Sequence, residues 1–484
     1  MQNKRWIYFL AVLFILDVGY SFIQHYHISL DGDLPNIILP AEEYQPLMDD
    51  PLGLGVLIEG KTYSSPNRYF AHWFTQKYFQ TIPIFLQNFI SPINSVYFSC
   101  ALIKTVIQVF LILLLSVFIT GKFKIFSFEN LVAIALITPL FHVTGYYQYM
   151  GAIDHATTYT LFYAFPLSLV LLFFLPFYQK LFFRKKAKFS KAQIIFLFFL
   201  SIYLALNGPL VPGLVLLILG MIGLYQIQEG WFNQKINFIS DFVVFIKNKI
   251  SISGIFLLSF FGLICLYSFY IGQHTVEGSN TLIPLSERYL RLPEGVLRIF
   301  TQKLGFPILI GMITLNIFLI KKQSQTEGSK RLLNFLKWIG IFALVYILLL
   351  PLGGYREYRP NIIRRDTFLP ITLSIFYVYG MTSFYLFKNI VTKYRKWYIG
   401  GLILIAMNFT IVDKPDYDNN TCERDALEKI SKSNENIVKL ENDCLIMTWV
   451  KVKDPAFTET NSQVLQLWNI TETPKLYFQE TVED

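Results

Sequence analysis

The sequence is poor in charged residues, which fill only 15% of its 484 positions. An average soluble chain carries about 25% charge. Apolar residues make up 54% of the chain and aromatic residues 17%, so a folded chain of this length has more apolar surface than it can keep from water. The composition therefore excludes a set of ordinary soluble domains, and we expect lipid to be the solvent.

Metal-binding motifs are also missing. The chain has four cysteines and no Cys-x-x-Cys spacing, so no zinc site is predicted. Cys100 and Cys265 fall inside apolar runs and are predicted to be buried. Cys422 and Cys444 lie in the polar tail, where an oxidising compartment would favour a disulfide if they are close enough. Two unpaired thiols are the alternative.

The sequence has no internal repeat, no low-complexity tract and no soluble nucleotide-binding domain. Its net charge of +9 comes from Lys and Arg in short clusters between apolar runs, which is the pattern of a membrane protein. The loops on the basic side are short and leave no room for an ATPase. We therefore predict no nucleic-acid partner and no ATP-driven pump.

What the sequence has is a series of apolar runs, each close to the roughly 20 residues that cross a bilayer. They predict an all-α polytopic membrane protein with about eleven transmembrane helices. The first run is interpreted as an uncleaved helix, because no small-x-small cleavage site follows it. The runs on either side of residues 207–209 form either two helices or one re-entrant hairpin. The approximate spans are 6–24, 95–119, 129–149, 158–178, 192–207, 209–226, 253–273, 305–320, 338–353, 367–387 and 397–413.

The positions of the basic clusters predict the orientation. Each even-numbered span leads into a basic loop, such as 184–191 or 393–396, so the N-terminus is expected in the cytoplasm and the C-terminus outside. Residues 1–413 would then form a transmembrane domain, and residues 414–484 a small extracytoplasmic domain of α/β or mixed structure. We expect the plasma (inner) membrane of a bacterium. The extracytoplasmic loops of the transmembrane domain would be 25–94, 274–304 and 354–366.

Two carboxylates, Asp31 and Asp33, flank Gly32 directly after the first span. A glycine permits a tight turn, so both side chains could face one site. Carboxylates at a membrane edge serve as general bases or bind a divalent cation. A divalent cation is therefore an open alternative, and no other cofactor and no metal ligand is predicted. The competing interpretation is a solvated polar loop.

Two further polar pairs lie in the loops of the same side. Residues 65–79 predict an amphipathic surface helix that carries Arg68 and His72, although an interfacial anchor has the same pattern. Asp154 and His155 stand where the fourth span begins. They either cap that helix or form a second polar wall of an external cavity.

An arginine-rich loop precedes the tenth span, on the side where positive charge is normally sparse. A guanidinium suits bidentate recognition of phosphate, so the loop predicts a phosphate at headgroup level. Pairing with Glu357 or Asp366, or with ordinary phospholipids, is the alternative. The four arginines are Arg356, Arg359, Arg364 and Arg365.

Charged residues inside the spans are few. Asp17 lies in the first span and Lys104 in the second. Ionisable residues within a membrane are functional candidates by default. These two are expected either to have such a role or to pair with each other.

Together, the acidic motif after the first helix, the long first loop with its surface helix, the many spans and the small external tail resemble the GT-C glycosyltransferases. The resemblance implies transfer of a sugar from a polyprenyl-phosphate donor to an extracytoplasmic acceptor, which stays open. It implies Asp31 or Asp33 as the catalytic base and the four arginines near the donor phosphate. The alternatives are a non-enzymatic translocase of a lipid-linked saccharide, an envelope polysaccharide polymerase or ligase, and a structural subunit of an envelope complex.

Overall fold

The computed structural model describes residues 2–142, 145–146, 150–185, 189–233, 239–276, 283–323, 326–353 and 361–479. Over these ranges the chain is predominantly helical, and its strands form a single two-stranded sheet. The helices before the tail are α1 (Gln2–Tyr26), α2 (Leu34–Ile38), α3 (Gln45–Asp49), α4 (Leu54–Glu59), α5 (Tyr69–Leu86), α6 (Pro92–Thr120), α7 (Phe128–Ile137), α8 (Thr157–Leu181), α9 (Lys191–Ala205), α10 (Leu210–Ile227), α11 (Ile239–Ile250), α12 (Ile252–Gly272), α13 (Leu285–Leu290), α14 (Leu292–Thr301), α15 (Gly305–Gln323), α16 (Glu327–Leu349), α17 (Arg365–Asn389) and α18 (Thr392–Val412).

Eight of the described helices are long and apolar enough to cross a membrane, which makes the chain an all-α polytopic membrane protein. They are α1, α6, α8, α10, α12, α15, α16 and α17. Ten of the eleven predicted spans overlap a described helix over most of their length, whereas in the span 129–149 the helix and its 3-10 extension end at Phe141 and part of the remainder lies outside the described residues. Of the three predicted spans outside those eight, α7 with its 3-10 extension (Phe128–Phe141) and α9 are shorter apolar helices, and α18 has a charged first turn.

Helix α6 lies at the centre of the bundle and packs against α1, α5, α7, α8 and α17. Its sequence explains its length. Pro92 fits the first turn, where no backbone donor is needed, an unbroken apolar run follows, and Gly121 ends the helix in the left-handed conformation. At 1.5 Å per residue, its 29 residues span about 43 Å. The two ends of α6 therefore lie on opposite sides of the bundle.

The end of α6 at Thr120 is basic. Lys122 pairs with Glu129, and Lys388 approaches the same carboxylate at 3.9 Å. Lys185 donates a hydrogen bond to the carbonyl of Gly121. Basic residues from two loops and from the last turn of α17 thus lie together, as the charge pattern predicts for one side of the membrane.

The tail at the other end of α6 has mixed structure. It contains α19 (Thr421–Lys432), β1 (Ile437–Leu440), α20 (Glu459–Leu467) and β2 (Leu476–Gln479). The two strands pair in parallel, with Ile437 opposite Leu476. A disulfide joins Cys422 to Cys444, which confirms the predicted bridge.

The tail packs tightly on the rest of the chain. Trp468 is fully buried, and its indole Nε1 donates to the carbonyl of Phe79 in α5 at 3.0 Å. The carboxylate of Glu423 accepts hydrogen bonds from the Leu30 backbone N–H at 2.9 Å and from the Tyr97 hydroxyl of α6 at 2.8 Å. The tail therefore covers the loop that follows α1.

Candidate functional site

Residues 154–163 comprise the end of the loop before α8 and the first turns of that helix. We call them the hub segment, because the site residues described below lie around it. After one α-helical turn, residues Thr160–Ala164 form a π-helix, a feature that often marks functional sites. The backbone N–H of Asp154 donates to the hydroxyl of Thr160 at 3.0 Å. One carboxylate oxygen of Asp154 accepts from the Ala156 N–H at 2.8 Å. Asp154 therefore orders the turn before α8 and does not cap the helix, because it binds the N–H of Ala156, the residue that precedes the first helical residue.

Asp154 also has a charged partner. Arg365, the first residue of α17, donates from Nε to the other carboxylate oxygen of Asp154 at 2.5 Å. The two side chains are 23% and 9% exposed. Asp154 thus holds the turn before α8 and forms an ion pair that fixes α17 to the hub segment.

Asp31 is held by the hub segment from the other side. Its carboxylate accepts from the Thr158 N–H at 3.1 Å and from the Thr158 hydroxyl at 2.7 Å. Burial raises the pKa of Asp31 above its usual value, although the hydrogen bonds from Thr158 act in the opposite direction. Asp33 raises the pKa further and Lys104 lowers it. Asp31 is therefore a buried carboxyl that takes up a proton more readily than an exposed one.

Lys104 projects from α6 into the same cluster and is 1% exposed. Its ammonium donates to the His155 carbonyl and interacts electrostatically with Asp31 and Asp154. The alternative that Lys104 pairs with Asp17 is wrong. Lys104 instead lies beside Asp31 and Asp154 and stabilises their charged forms.

Asp33 has a different partner from Asp31. Its carboxylate accepts a hydrogen bond from the Trp449 indole of the tail at 2.7 Å. Gly32, between them, does not adopt the left-handed conformation. A Cβ there would stand 2.6 Å from the Trp449 backbone nitrogen, so the glycine is needed for the close approach of the tail and not for the turn predicted from sequence.

Arg68, the residue before α5, and His72, in the first turns of that helix, lie at the far end of the hub segment. The predicted helix forms over Tyr69–Leu86, later than the predicted 65–79, and its place at the membrane surface stays a prediction. His72 is 3% exposed, which does not fit an interfacial anchor. Its ring packs between those of Tyr44 and Phe162, with centroids 5.0 and 5.2 Å away. Burial and the nearby Arg68 lower the pKa of His72 to about 3, so the ring is neutral. The Arg68 guanidinium lies 5.9 Å from the Phe162 centroid.

The Nε of Arg364 is available to donate a hydrogen bond, whereas the Nε of Arg365 donates to Asp154. One terminal nitrogen of Arg364 donates to Asp366 at 2.8 Å, whereas the buried Nε has no hydrogen-bond partner among the described residues. Arg68, likewise, has no carboxylate partner in the described ranges. Both guanidiniums interact electrostatically with Tyr163 at the end of the hub segment. Two incompletely paired cations therefore lie near one hydroxyl.

The structure thus brings the described site residues to one place. Of the ten residues predicted from sequence, Arg356 and Arg359 lie outside the described residues. Seven of the remaining eight belong to the hub segment, contact it or act on it electrostatically. Asp33 reaches it through Trp449, whose ring centroid lies 6.1 Å from that of Tyr159.

Sequence reasoning missed Thr158, Tyr163, Trp449 and Glu423. Burial raises the pKa of Glu423 to about 7, although hydrogen bonds from Leu30, Met447 and Tyr97 oppose this. No local motif marks these residues, because each acts through a partner that is distant in the sequence. Within the described part of the chain, no group of three His, Cys, Asp or Glu residues is arranged to hold a metal ion.

No family model matches this sequence, and a search of curated proteins finds no significant match.

Proposed function

We propose that the protein is a membrane glycosyltransferase of the GT-C type, which transfers a sugar from a polyprenyl-phosphate donor to an acceptor outside the cytoplasm. One observation carries the proposal. Asp31 from the first loop and arginines at the starts of α5 and α17 converge on the hub segment, and Asp33 lies beside it on Trp449. A transferase of this kind needs both groups, because the acceptor must lose a proton and the leaving phosphate gains charge.

The donor phosphate is assigned to Arg68 and Arg364. A guanidinium binds phosphate best when its donors are not already used. Arg364 has a buried Nε without a partner in the described chain, whereas Arg365 is committed to Asp154. Arg365 therefore positions the hub segment, and Arg68 and Arg364 stabilise the leaving group. The prenyl chain would lie between apolar helices beside them.

The two carboxylates are suited to different tasks. Asp31 is 5% exposed and has Thr158 donors on both oxygens, so it holds the hub segment in place. Asp33 is only partly buried and uses one oxygen for Trp449. Asp33 is therefore the better placed of the two to accept a proton from an acceptor hydroxyl.

The proposed topology has about eleven spans, a cytoplasmic N-terminus and an external tail in a bacterial plasma membrane. The basic cluster around Glu129 supports it, because basic loops stay in the cytoplasm. Reporter fusions after residues 186, 396 and 484 would test it. The first two should report the cytoplasm and the last the outside; a cytoplasmic C-terminus would overturn every assignment to the external side.

Sugar transfer by the purified full-length protein tests the activity. Asp33→Asn should lower turnover by about 10² to 10⁴, the usual loss for a general base. Arg364→Ala and Arg68→Ala should weaken donor binding as well as turnover. Arg298→Ala is the matched control, since Arg298 forms an exposed pair with Glu294 on α14. Parallel reactions with EDTA show whether a divalent cation takes part.

The outcomes separate the assignments. If Asp31→Asn and Asp33→Asn both transfer at the wild-type rate, neither carboxylate is the base. If Arg364→Ala and Arg68→Ala behave like Arg298→Ala, the phosphate lies elsewhere. Each variant is first checked for membrane insertion and for the elution volume of the folded protein.

A second candidate function, translocation of a lipid-linked saccharide, has one observation in its favour. Asp17 in α1 pairs with His142 at 3.0 Å, and Tyr20 and Gln24 donate to Asp413 at 3.0 and 2.5 Å. His142 also lines a small pocket together with Gly145, Tyr146 and Phe409. Polar groups within a span are expected in a translocase. Movement of a lipid-linked sugar across vesicles without its consumption would favour this function over transfer.

A further inference from the structure

We infer that Trp449, Tyr159 and Asp33 form a binding platform for a sugar ring of the acceptor. The inference rests on the proposed function and extends it, because it assigns the acceptor to the saccharides. It also makes the tail part of the binding site.

The platform is built across the junction between the tail and the membrane domain. Trp449 is 50% exposed, yet it is held at both ends. Its indole N–H is bound to Asp33 at 2.7 Å, and its ring lies 6.1 Å from Tyr159 at an interplanar angle of 36°. The result is an exposed aromatic surface with a carboxylate at its edge.

This combination fits the two kinds of surface on a pyranose. The ring has faces of C–H groups, which pack on aromatic rings, and a rim of hydroxyls, which donate to carboxylate oxygens. Asp33 offers an oxygen beyond the one bound to Trp449. A hydroxyl on the rim would then lie beside Asp33, the group proposed as the base. Asp33 would therefore both bind the sugar and accept its proton.

The tail is positioned for this task and does not rest loosely on the surface. Gly32 lets the backbone of residues 448–449 approach so closely that a Cβ would lie 2.7 Å from the Thr448 carbonyl carbon. Met447, two residues before Trp449, donates its N–H to the buried Glu423 at 3.0 Å. The backbone that carries the indole is therefore fixed on both sides.

Saturation-transfer NMR with the full-length protein in detergent micelles tests the platform without any donor. The probes are the methyl pyranosides of glucose, galactose, mannose and N-acetylglucosamine, each added alone. At least one should receive saturation from the wild type. Trp449→Ala should weaken its binding about tenfold, which corresponds to the loss of an aromatic contact. Trp449→Phe keeps a ring and should retain part of the signal.

Phe457→Ala is the matched control, because Phe457 is an aromatic residue of the tail that is 81% exposed. It should bind the probes like the wild type. An intact Cys422–Cys444 bridge and an unchanged elution volume establish that each variant is folded.

The inference is overturned if the wild type binds none of the four probes, or if Trp449→Ala binds them as Phe457→Ala does. If the protein binds a sugar through Trp449 but has no transfer activity, the proposed function is wrong and the platform is supported. If Trp449→Ala transfers sugar with an unchanged KM for the acceptor, the proposed function is supported and the platform is wrong.

Discussion

Gly32→Ala is the smallest change that should separate the tail from the membrane domain. The added Cβ would lie 2.6 Å from the Trp449 nitrogen and 2.8 Å from its Cδ1 atom. Normal contacts between such atoms begin at roughly 3.5 Å, so one of the two segments must retreat by about 1 Å. That shift alone would lengthen the 2.7 Å bond between Asp33 and Trp449 beyond hydrogen-bonding range.

The cost can be worked out from the same contacts. The atoms in the way belong to backbone and to a hydrogen-bonded indole, so they cannot rotate aside. Overpacking of this kind costs about 1–3 kcal/mol. If the tail opens as a unit, its amide protons should exchange about ten to a hundred times faster, since about 1.4 kcal/mol is a factor of ten.

Hydrogen–deuterium exchange of peptides from residues 440–455, measured by mass spectrometry in detergent, is the assay. Gly19→Ala is the control, because a Cβ at Gly19 in α1 has open space around it. Its tail should exchange as in the wild type. Wild-type exchange in the tail of Gly32→Ala would refute the close docking on which the platform depends.

Three further predictions concern the same region. The pKa of Glu423 is raised from an ordinary 4.5 to about 7 in the docked tail, so the docked state binds the proton more tightly. The proton therefore stabilises the docked tail fully below about pH 4.5. This stabilisation, about 3 kcal/mol in total, is lost as pH rises through about 7. Protection factors of tail amides should show this fall, and Glu423→Gln should flatten it. Arg365→Ala should lower stability by about 3 kcal/mol because it removes the guanidinium that pairs with the buried Asp154 carboxylate. Thermal unfolding should show part of this loss recovered when Asp154→Asn is added, and equal instability of the single and double variants would contradict the ion pair. Reduction of the Cys422–Cys444 bridge should remove up to about 3 kcal/mol of tail stability, and unchanged proteolysis of the tail under reducing conditions would count against that role.

Much of the helical framework can be predicted from the sequence, because each span is a local apolar run. Helix α6 illustrates why, since its proline start, its apolar body and its glycine end are adjacent in the chain. The π-helix at Thr160–Ala164 could not be predicted, since its residues look like any other apolar segment. The predicted count of about eleven spans stays a prediction beyond the eight shown.

The sequence predicts which residues belong to the candidate site better than it predicts their contacts. Asp31 and Arg365 stand out in the sequence because charge is unusual where they occur. Their partners do not stand out: Thr158 is 127 residues from Asp31, and Trp449 is 416 residues from Asp33. Contacts at such separations depend on how the helices pack, which no local pattern contains. The same reason explains why Asp17 pairs with His142 and not with Lys104, which is one of the two alternatives that the sequence leaves open.

The most direct test of the central claim is a cryo-electron microscopy structure of the full-length protein with a polyprenyl phosphate bound. The account predicts phosphate density within hydrogen-bonding distance, about 3 Å, of the guanidiniums of Arg68 and Arg364, beside the hub segment and on the same side as the tail. Density beside Asp17 and His142, or at any site from which Asp33 and the hub segment are remote, would contradict it.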